Sequence, residues 1–195
     1  MPKKGYTTKA DIENYLLQTI DSSFDTQLDT WIESAEKYID KQTGRNFIAL
    51  STAAARVFDG NGDVNMRLDD FISISKVENG DGLGNYTEIA STDYLIYPVN
   101  EERKNKIKLL YDYFLPGYQN IRITAKWGYS AAVPSDIKLA ATILVVGILN
   151  FGNDARGKVR SKSVGGFSVS FVEEKGWQDF SQVDKILAGY KKYSF

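Results

Sequence analysis

Hydrophobic positions along the chain follow two periods, and the period changes twice. Behind Thr7 and Thr8, the run KADIENYLLQTI spaces Ile12, Tyr15, Leu16 and Thr19 three and four residues apart, which predicts a short capped helix. After the break DSSFD, Leu28, Ile32, Ala35 and Ile39 form one stripe with Trp31 and Tyr38 beside it. Asp25 stands where a cap is expected and Gly44 where a helix stops, so a second helix is predicted from Asp25 to Thr43. From Ala55 to Trp127 the pattern becomes alternation: Ile72 and Ile74 around Ser73 and Ser75, then Ile121, Ile123, Ala125 and Trp127 around Arg122, Thr124 and Lys126. The connectors DGNGD (59–63), NGDGLGN (79–85) and Pro116-Gly117 are turn-forming, which predicts an antiparallel meander rather than a parallel sheet with helical crossovers.

Helical character returns at VPSDIKLAATILVVGILNF, where Pro134 and Ser135 mark a start and the near-continuous apolar run predicts a central helix. A second alternating element follows at VGGFSVSF, from Val164 to Phe171, and a last amphipathic stretch runs from Trp177 to Tyr190. The order predicts an α+β fold. A small α-helical bundle is expected from 1–54 and 128–195, with an inserted antiparallel β lobe at 55–127 and a short C-terminal hairpin and helix.

Composition changes this picture mainly by exclusion. The 195 residues are 43% hydrophobic and 25% charged, with a formal net charge of -1, as in an ordinary globular protein. There is no His and no Cys, which removes imidazole bases, thiol nucleophiles and the commonest zinc, copper and haem ligands. The segment MPKKGYTTKAD has no apolar run behind its lysines and does not read as a signal peptide. The longest apolar stretch, Leu139 to Leu149, falls short of the roughly 18 residues that span a bilayer, so no membrane partner is expected.

The remaining chemical patterns are weak. Asp59, Asn61, Asp63 and Asp70 occupy oxygen-ligand positions of a calcium loop, but Val64 replaces the glycine that its turn needs and Asp70 the bidentate Glu. A tight hairpin turn is expected there, with no metal and no cofactor. Ser73 to Lys76 and Ser135 to Lys138 match Ser-x-x-Lys, yet the first falls on a strand, where the two side chains diverge, and Ser135 is explained as a helix start. Gly80, Gly82 and Gly84 lack the strand-to-helix context of a dinucleotide loop. The chain is therefore not expected to be an enzyme; the enzymatic alternative is a carboxylate-dependent hydrolase.

Charge is segregated. Between Asp11 and Asp40 there are eight acids and one base, Lys37. Of these, Asp25, Asp29, Glu33, Glu36 and Asp40 fall on one side of the predicted second helix, a surface that disfavours tight nucleic-acid binding. Cations gather at Arg156, Lys158, Arg160 and Lys162, and again at Lys191 and Lys192 between Tyr190 and Tyr193.

Taken in order, KYIDKQTGRNF closing the N-terminal helices, ITAKWGY ending the β insertion, VPSDIKLAA opening the central helix, KSVGGFSVSF and the closing ILAGYKKYSF resemble the head-to-tail connector proteins of tailed bacteriophages. These are also called adaptor or head-completion proteins, and the resemblance covers nearly the whole chain. It implies a structural protein of the virion neck, assembled in the host cytoplasm into a ring, twelvefold like the portal, that joins the DNA-filled head to the next neck (stopper) or tail component. Another tail or baseplate structural protein is the nearest alternative. The resemblance also implies portal docking by the closing segment (Leu187, Tyr190, Lys191, Lys192, Tyr193, Phe195). Ring or neck contact is expected at Val164, Gly165, Gly166 and Phe167. Asp25, Asp29, Glu33, Glu36 and Asp40 are expected to line a channel through which DNA passes without specific binding.

Overall fold

The computed structural model describes residues 4–156, 161–164, 167–170 and 180–192, with side chains at 4–149 and 180–192. It is an α+β chain that divides into two compact units, Met1–Gly44 with Ser135–Phe195, and Arg45–Pro134. No helix among the described residues is long and apolar enough to cross a membrane.

The first unit holds α1 (Lys9–Leu16), α2 (Asp25–Thr43), α3 (Ser135–Arg156), a hairpin of β7 (Ser161–Val164) and β8 (Phe167–Ser170), and α4 (Ser181–Ala188). Helix α1 starts on a capping box in which the Thr8 side chain accepts from the Asp11 N–H while Asp11 accepts from the Thr8 N–H. It ends on Leu17 in the left-handed region, φ 53°. Helix α2 is capped by Gly44 at φ 66°, whose N–H donates to the Asp40 carbonyl, as its position in the sequence predicts. Its start differs: Asp25 is the first helical residue rather than the cap, because Asp21 takes that role one turn earlier on a 3-10 turn at Ser22–Phe24. Leu28, Ile32, Ala35 and Ile39 are buried as predicted, whereas Trp31 is half-buried and Tyr38 exposed. Helix α3 packs against α1, α2 and α4. It buries Ile137, Ala140, Ala141, Leu144, Val145 and Val146, so its central position follows from an apolar run too wide for one stripe.

The second unit is a six-stranded antiparallel sheet of β1 (Ala54–Gly60), β2 (Asn65–Gly80), β3 (Tyr86–Glu88), β4 (Tyr94–Tyr97), β5 (Lys104–Leu109) and β6 (Gly117–Trp127). The antiparallel pairing agrees with the turn-rich connectors, but the order is not a meander. It runs β1-β6-β2-β5-β4, with β3 also on β2, so the last strand returns between the first two. Strand β6 is paired on both edges, with β1 and β2, and buries Ile121, Ile123, Ala125 and Trp127 on one face. The long β2 serves three partners in turn, pairing β5 up to Phe71, β6 from Phe71 to Asn79, and β3 at its end. Register shifts beside Phe71 and between Ile74 and Lys76 mark these changes.

Trp127 centres the sheet core. Its Nε1 donates to the Ala54 carbonyl at 2.7 Å, Phe58 and Phe71 lie 5.7 and 6.0 Å from its ring, and the Arg56 guanidinium covers it at 4.5 Å. The segments flanking the sheet, 45–53 and 128–134, pair with one another: Ala49 N–H to the Ser130 carbonyl and Tyr129 N–H to the Asn46 carbonyl. A Cβ on Gly128 would sit 2.4 Å from the Ala49 Cα, so only glycine permits this approach.

Two predictions follow from the packing. Leu144→Ala should cost about 2–5 kcal/mol in urea unfolding, and Trp31→Ala less, because only Leu144 is enclosed. Across β2 and β6, Glu78 accepts from Arg122 Nε at 2.6 Å and Nη2 at 2.7 Å, and Lys76 Nζ lies at 2.8 Å. The Arg122 hydrogen bond, with Lys76 adding to it, lowers the Glu78 carboxyl from 4.5 to about 2. A depressed carboxylate stabilises the fold above its unfolded-state value and loses that contribution as the pH falls. The melting temperature should therefore drop between about pH 5 and pH 2, and Glu78→Gln should flatten that slope.

Candidate assembly surfaces

Helix α2 was the source of the predicted acidic face, and the structure divides its five carboxylates. Glu36 is buried, 2% exposed, and accepts from three consecutive backbone donors: Lys4 N at 2.8 Å, Gly5 N at 2.7 Å and Tyr6 N at 2.9 Å. Asp40, half-buried, accepts from Tyr6 Oη at 2.6 Å and pairs with Lys4. These two hold the N-terminal segment; Glu36 is withdrawn from any open surface and Asp40 is partly covered, which narrows the five-residue face expected from helical spacing. Asp25 and Asp29 are exposed, and Asp25 pairs with Lys9 Nζ at 2.6 Å. Glu33 is half-buried and pairs with Lys37 at 2.9 Å, which holds its carboxyl below the usual carboxylate range.

The closing segment divides in the same way. Leu187 is 1% exposed and belongs to the helical core. The Tyr190 hydroxyl donates to Asp136 at 2.7–2.8 Å, and the Lys192 N–H donates to the Thr43 carbonyl at 2.8 Å. Leu187 is thus not available as a docking side chain, and Tyr190 is held on the first turn of α3. The Lys191 and Lys192 side chains are exposed, while Tyr193 and Phe195 lie outside the described residues.

The hairpin expected around Val164 is present: Val164 pairs with Phe167 and Ser161 with Ser170. Gly165 and Gly166 between them, and Lys158 and Arg160 before them, lie outside the described residues.

The residues considered for chemistry are engaged otherwise. Asp59 accepts from Gln119 N at 2.8 Å, Asn61 and Asp63 bond the backbone of their own turn, and Asp70 is bound by Arg45 Nη1 at 2.5–2.7 Å. Lys76 pairs with Glu78, and Lys138 with Asp11 at 3.1 Å, so neither lysine is directed at its Ser-x-x-Lys serine.

Sequence patterning missed a group of exposed apolar side chains. Leu17 is 93% exposed in its left-handed cap position, Leu83 and Tyr111 are 87% and 83% exposed on loops of the sheet unit, and Tyr118, at the start of β6, is 88% exposed. Turns dominate those loops and conceal periodicity. The only available signal was tyrosine density in YDYFLPGY, residues 111–118.

These surfaces sit on a fold already described in other proteins. The family model for head completion protein matches residues 7–193. The chain belongs to the head completion protein family. Among solved structures, it is similar to a chain of the neck of an empty gene transfer agent (GTA) particle computed with C6 symmetry, at 16% identity and TM-score 0.62. A chain of the neck of a native GTA particle computed with C12 symmetry matches at 15% identity and TM-score 0.58, and one of the native GTA virion at 16% and 0.58. Each comparison covers 100% of this chain and 94% of the other. The search of curated proteins finds no significant relative. At these identities the solved structures establish a shared fold, while the family match establishes a structural head-completion protein of the head-tail neck.

For this head completion protein, Glu36→Ala should strand three backbone donors and cost about 3 kcal/mol or more in urea unfolding, with Glu36→Gln recovering part of the loss. Asp25→Asn, which removes an exposed pair, should stay within about 1 kcal/mol.

Proposed function

We propose that the protein forms a ring beneath the portal vertex, closes the DNA-filled head and presents a docking surface to the next neck or tail component. The family match over residues 7–193 carries this conclusion. The similar chains come from necks computed with C6 and C12 symmetry, which supports a ring and favours twelve copies. A subunit in a closed ring repeats one heterologous interface, so contacts that are weak singly become strong together.

The same reading makes the protein non-enzymatic. Imidazole and thiol are absent from the sequence, and the lysines of both Ser-x-x-Lys patterns are committed to carboxylates. Portal docking falls to Lys191, Lys192, Tyr193 and Phe195, since Leu187 and Tyr190 are used inside the helical unit. The channel face reduces to Asp25, Asp29 and Glu33, whose charge repels phosphates and keeps passing DNA from adhering. Assembly would place the protein in the virion neck after synthesis in the host cytoplasm.

Truncation after Tyr190 tests the docking assignment. The shortened chain should melt within a few degrees of the parent, because Leu187 and Tyr190 remain, yet heads should fail to retain it and should leak DNA. Parental retention would reject the tail as the docking element. A reconstruction of the ring with Asp25, Asp29 and Glu33 on its outer wall would remove the channel assignment.

A further inference from the structure

Two oppositely charged surfaces of the sheet unit carry side chains that its core does not use. The first is the outer face of β2, β5 and β4. Met66, Ile107 and Ile96 lie in register across these strands and pack in the core, so their neighbours on each strand turn away from it. One outward row is Arg67, Lys106 and Tyr97, and the next is Asn65, Lys108 and Leu95. Lys106 Nζ stands 4.5 Å over the Tyr97 ring, and neither Lys106 nor Lys108 has a carboxylate partner among the described residues. Arg67 directly opposite Lys106 is a repulsive cross-strand pair, which opposes the fold. A local arrangement that works against the fold is accounted for by a partner, and here the partner is an anion.

The second surface is formed by the loops at 61–64, 81–85 and 110–116 with the start of β6. Hydrogen bonds tie it into one frame. Gly62 N–H donates to the Phe114 carbonyl and Phe114 N–H to the Asp63 carbonyl, both at 3.0 Å. The Asn79 side chain donates to the Tyr113 carbonyl and accepts from the Leu115 N–H, and the Tyr86 hydroxyl donates to the Gln119 carbonyl at 3.0 Å. On this frame Leu83, Tyr111 and Tyr118 are exposed, and exposed tyrosines held in place are the usual composition of interface anchors. Residues 57–64, 79–87 and 109–121 carry Asp59, Asp63, Asp81 and Asp112 and no lysine or arginine. All four aspartates accept from neutral donors: Gln119 N–H, Asn65 N–H, the N–H of Leu83 with the Asn85 amide, and Tyr113 N–H respectively. Their charges are thus positioned without being neutralised. Asp81, Tyr111 and Asp112 border one cleft of about 480 Å³, which can receive a long cationic side chain.

We propose that the acidic loop surface of one copy docks on the basic outer face of β2, β5 and β4 of the next, with Asp81 and Asp112 meeting Lys106 and Lys108. The assignment rests on the ring proposed above and names its interface. It joins two different surfaces, as a head-to-tail contact requires, and like surfaces repel. Nucleic acid suits the cations less well. Asp63 stands two residues before Asn65, in the row of Lys108, and Asp112 follows Lys108 by four residues, so phosphates reaching the lysines meet carboxylates as well.

The absence of native cysteine allows a direct test in the full chain. In the variant Leu83→Cys/Leu95→Cys, a short bismaleimide added to the assembled protein should produce a ladder of covalent multimers on a denaturing gel, while either single variant should give none. In sedimentation experiments, Asp81→Lys/Asp112→Lys and, separately, Lys106→Glu/Lys108→Glu should each weaken self-association about tenfold or more. Combining all four should restore it to within about threefold of the parent. The reversed lysine pair should melt at or above the parent, because Arg67 then faces a carboxylate, which separates a lost contact from a lost fold. If that pair fails to fold, the cross-linked ladder decides alone. Oligomers that give no ladder, products that stop at dimers, unchanged association of either reversed pair, or no recovery in the combined variant would overturn the interface while leaving the ring intact. Binding of duplex DNA that the reversed lysine pair abolishes, with self-association unchanged, would assign the basic face to nucleic acid instead. A parent that stays monomeric both in solution and in assembled particles would overturn the ring and the interface together.

Discussion

The helical unit depends on one buried carboxylate. Placing Glu36 away from water carries a desolvation cost of several kcal/mol unless its oxygens are fully used, and the N–H groups of Lys4, Gly5 and Tyr6 use them. That clasp draws the N-terminal segment across α2 and sets everything next to it. Tyr6 becomes fully buried with its hydroxyl on Asp40, Thr7 meets Thr142 of α3 at 2.7 Å between hydroxyl oxygens, and Thr8 caps α1. Three helices are thereby fixed through five consecutive residues that have almost no apolar periodicity of their own. An apolar residue at position 36 would leave those backbone donors unmet, which is why an acid occurs inside a stripe of Leu28, Ile32, Ala35 and Ile39.

The sheet unit rests on a different constraint, the burial of alternate residues on a strand with neighbours on both sides. Strand β6 lies between β1 and β2, so the connection at 61–64 has to bridge the width of an intervening strand. That gap, about 10 Å, is short enough for four residues when their turn is held by Asn61 and Asp63. The oxygen-rich segment that resembles a calcium loop is thus accounted for by turn chemistry.

What could be read from the sequence follows from how local each determinant is. The helix periods, the Gly44 stop, the alternation of Ile121 to Trp127 and the Val164 hairpin depend on neighbours within a few positions, and the structure reproduces them. Strand order was missed because pairing partners are not encoded in period; a turn-rich connector shows that strands are antiparallel and does not show which strand lies between them. The acidic face was misjudged for a related reason. Helical geometry placed Glu36 and Asp40 beside Asp25, Asp29 and Glu33, but the donors that take up Glu36 lie 30–32 residues away, beyond any helical period. Leu187 and Tyr190 read as a free tail because their partners, the bundle interior and Asp136, are equally remote in sequence. The order of five modest motifs nevertheless identified the family, since order survives where single residues are ambiguous.

Subtracting the internal bonds leaves surfaces of unequal sign. In a chain of net charge -1, total charge says nothing about association, but its placement does. The exposed acids concentrate on α2 and on the loop cluster of the sheet unit, while cations cluster along the sequence at 103–108, 156–162 and 191–192. A subunit with one acidic and one basic contact surface repels a copy presented face to face and attracts one presented in sequence. In the proposed ring, such asymmetry favours head-to-tail repetition over a symmetric dimer. The bond at each interface can remain weak, because closure makes every subunit's release depend on breaking two contacts at once.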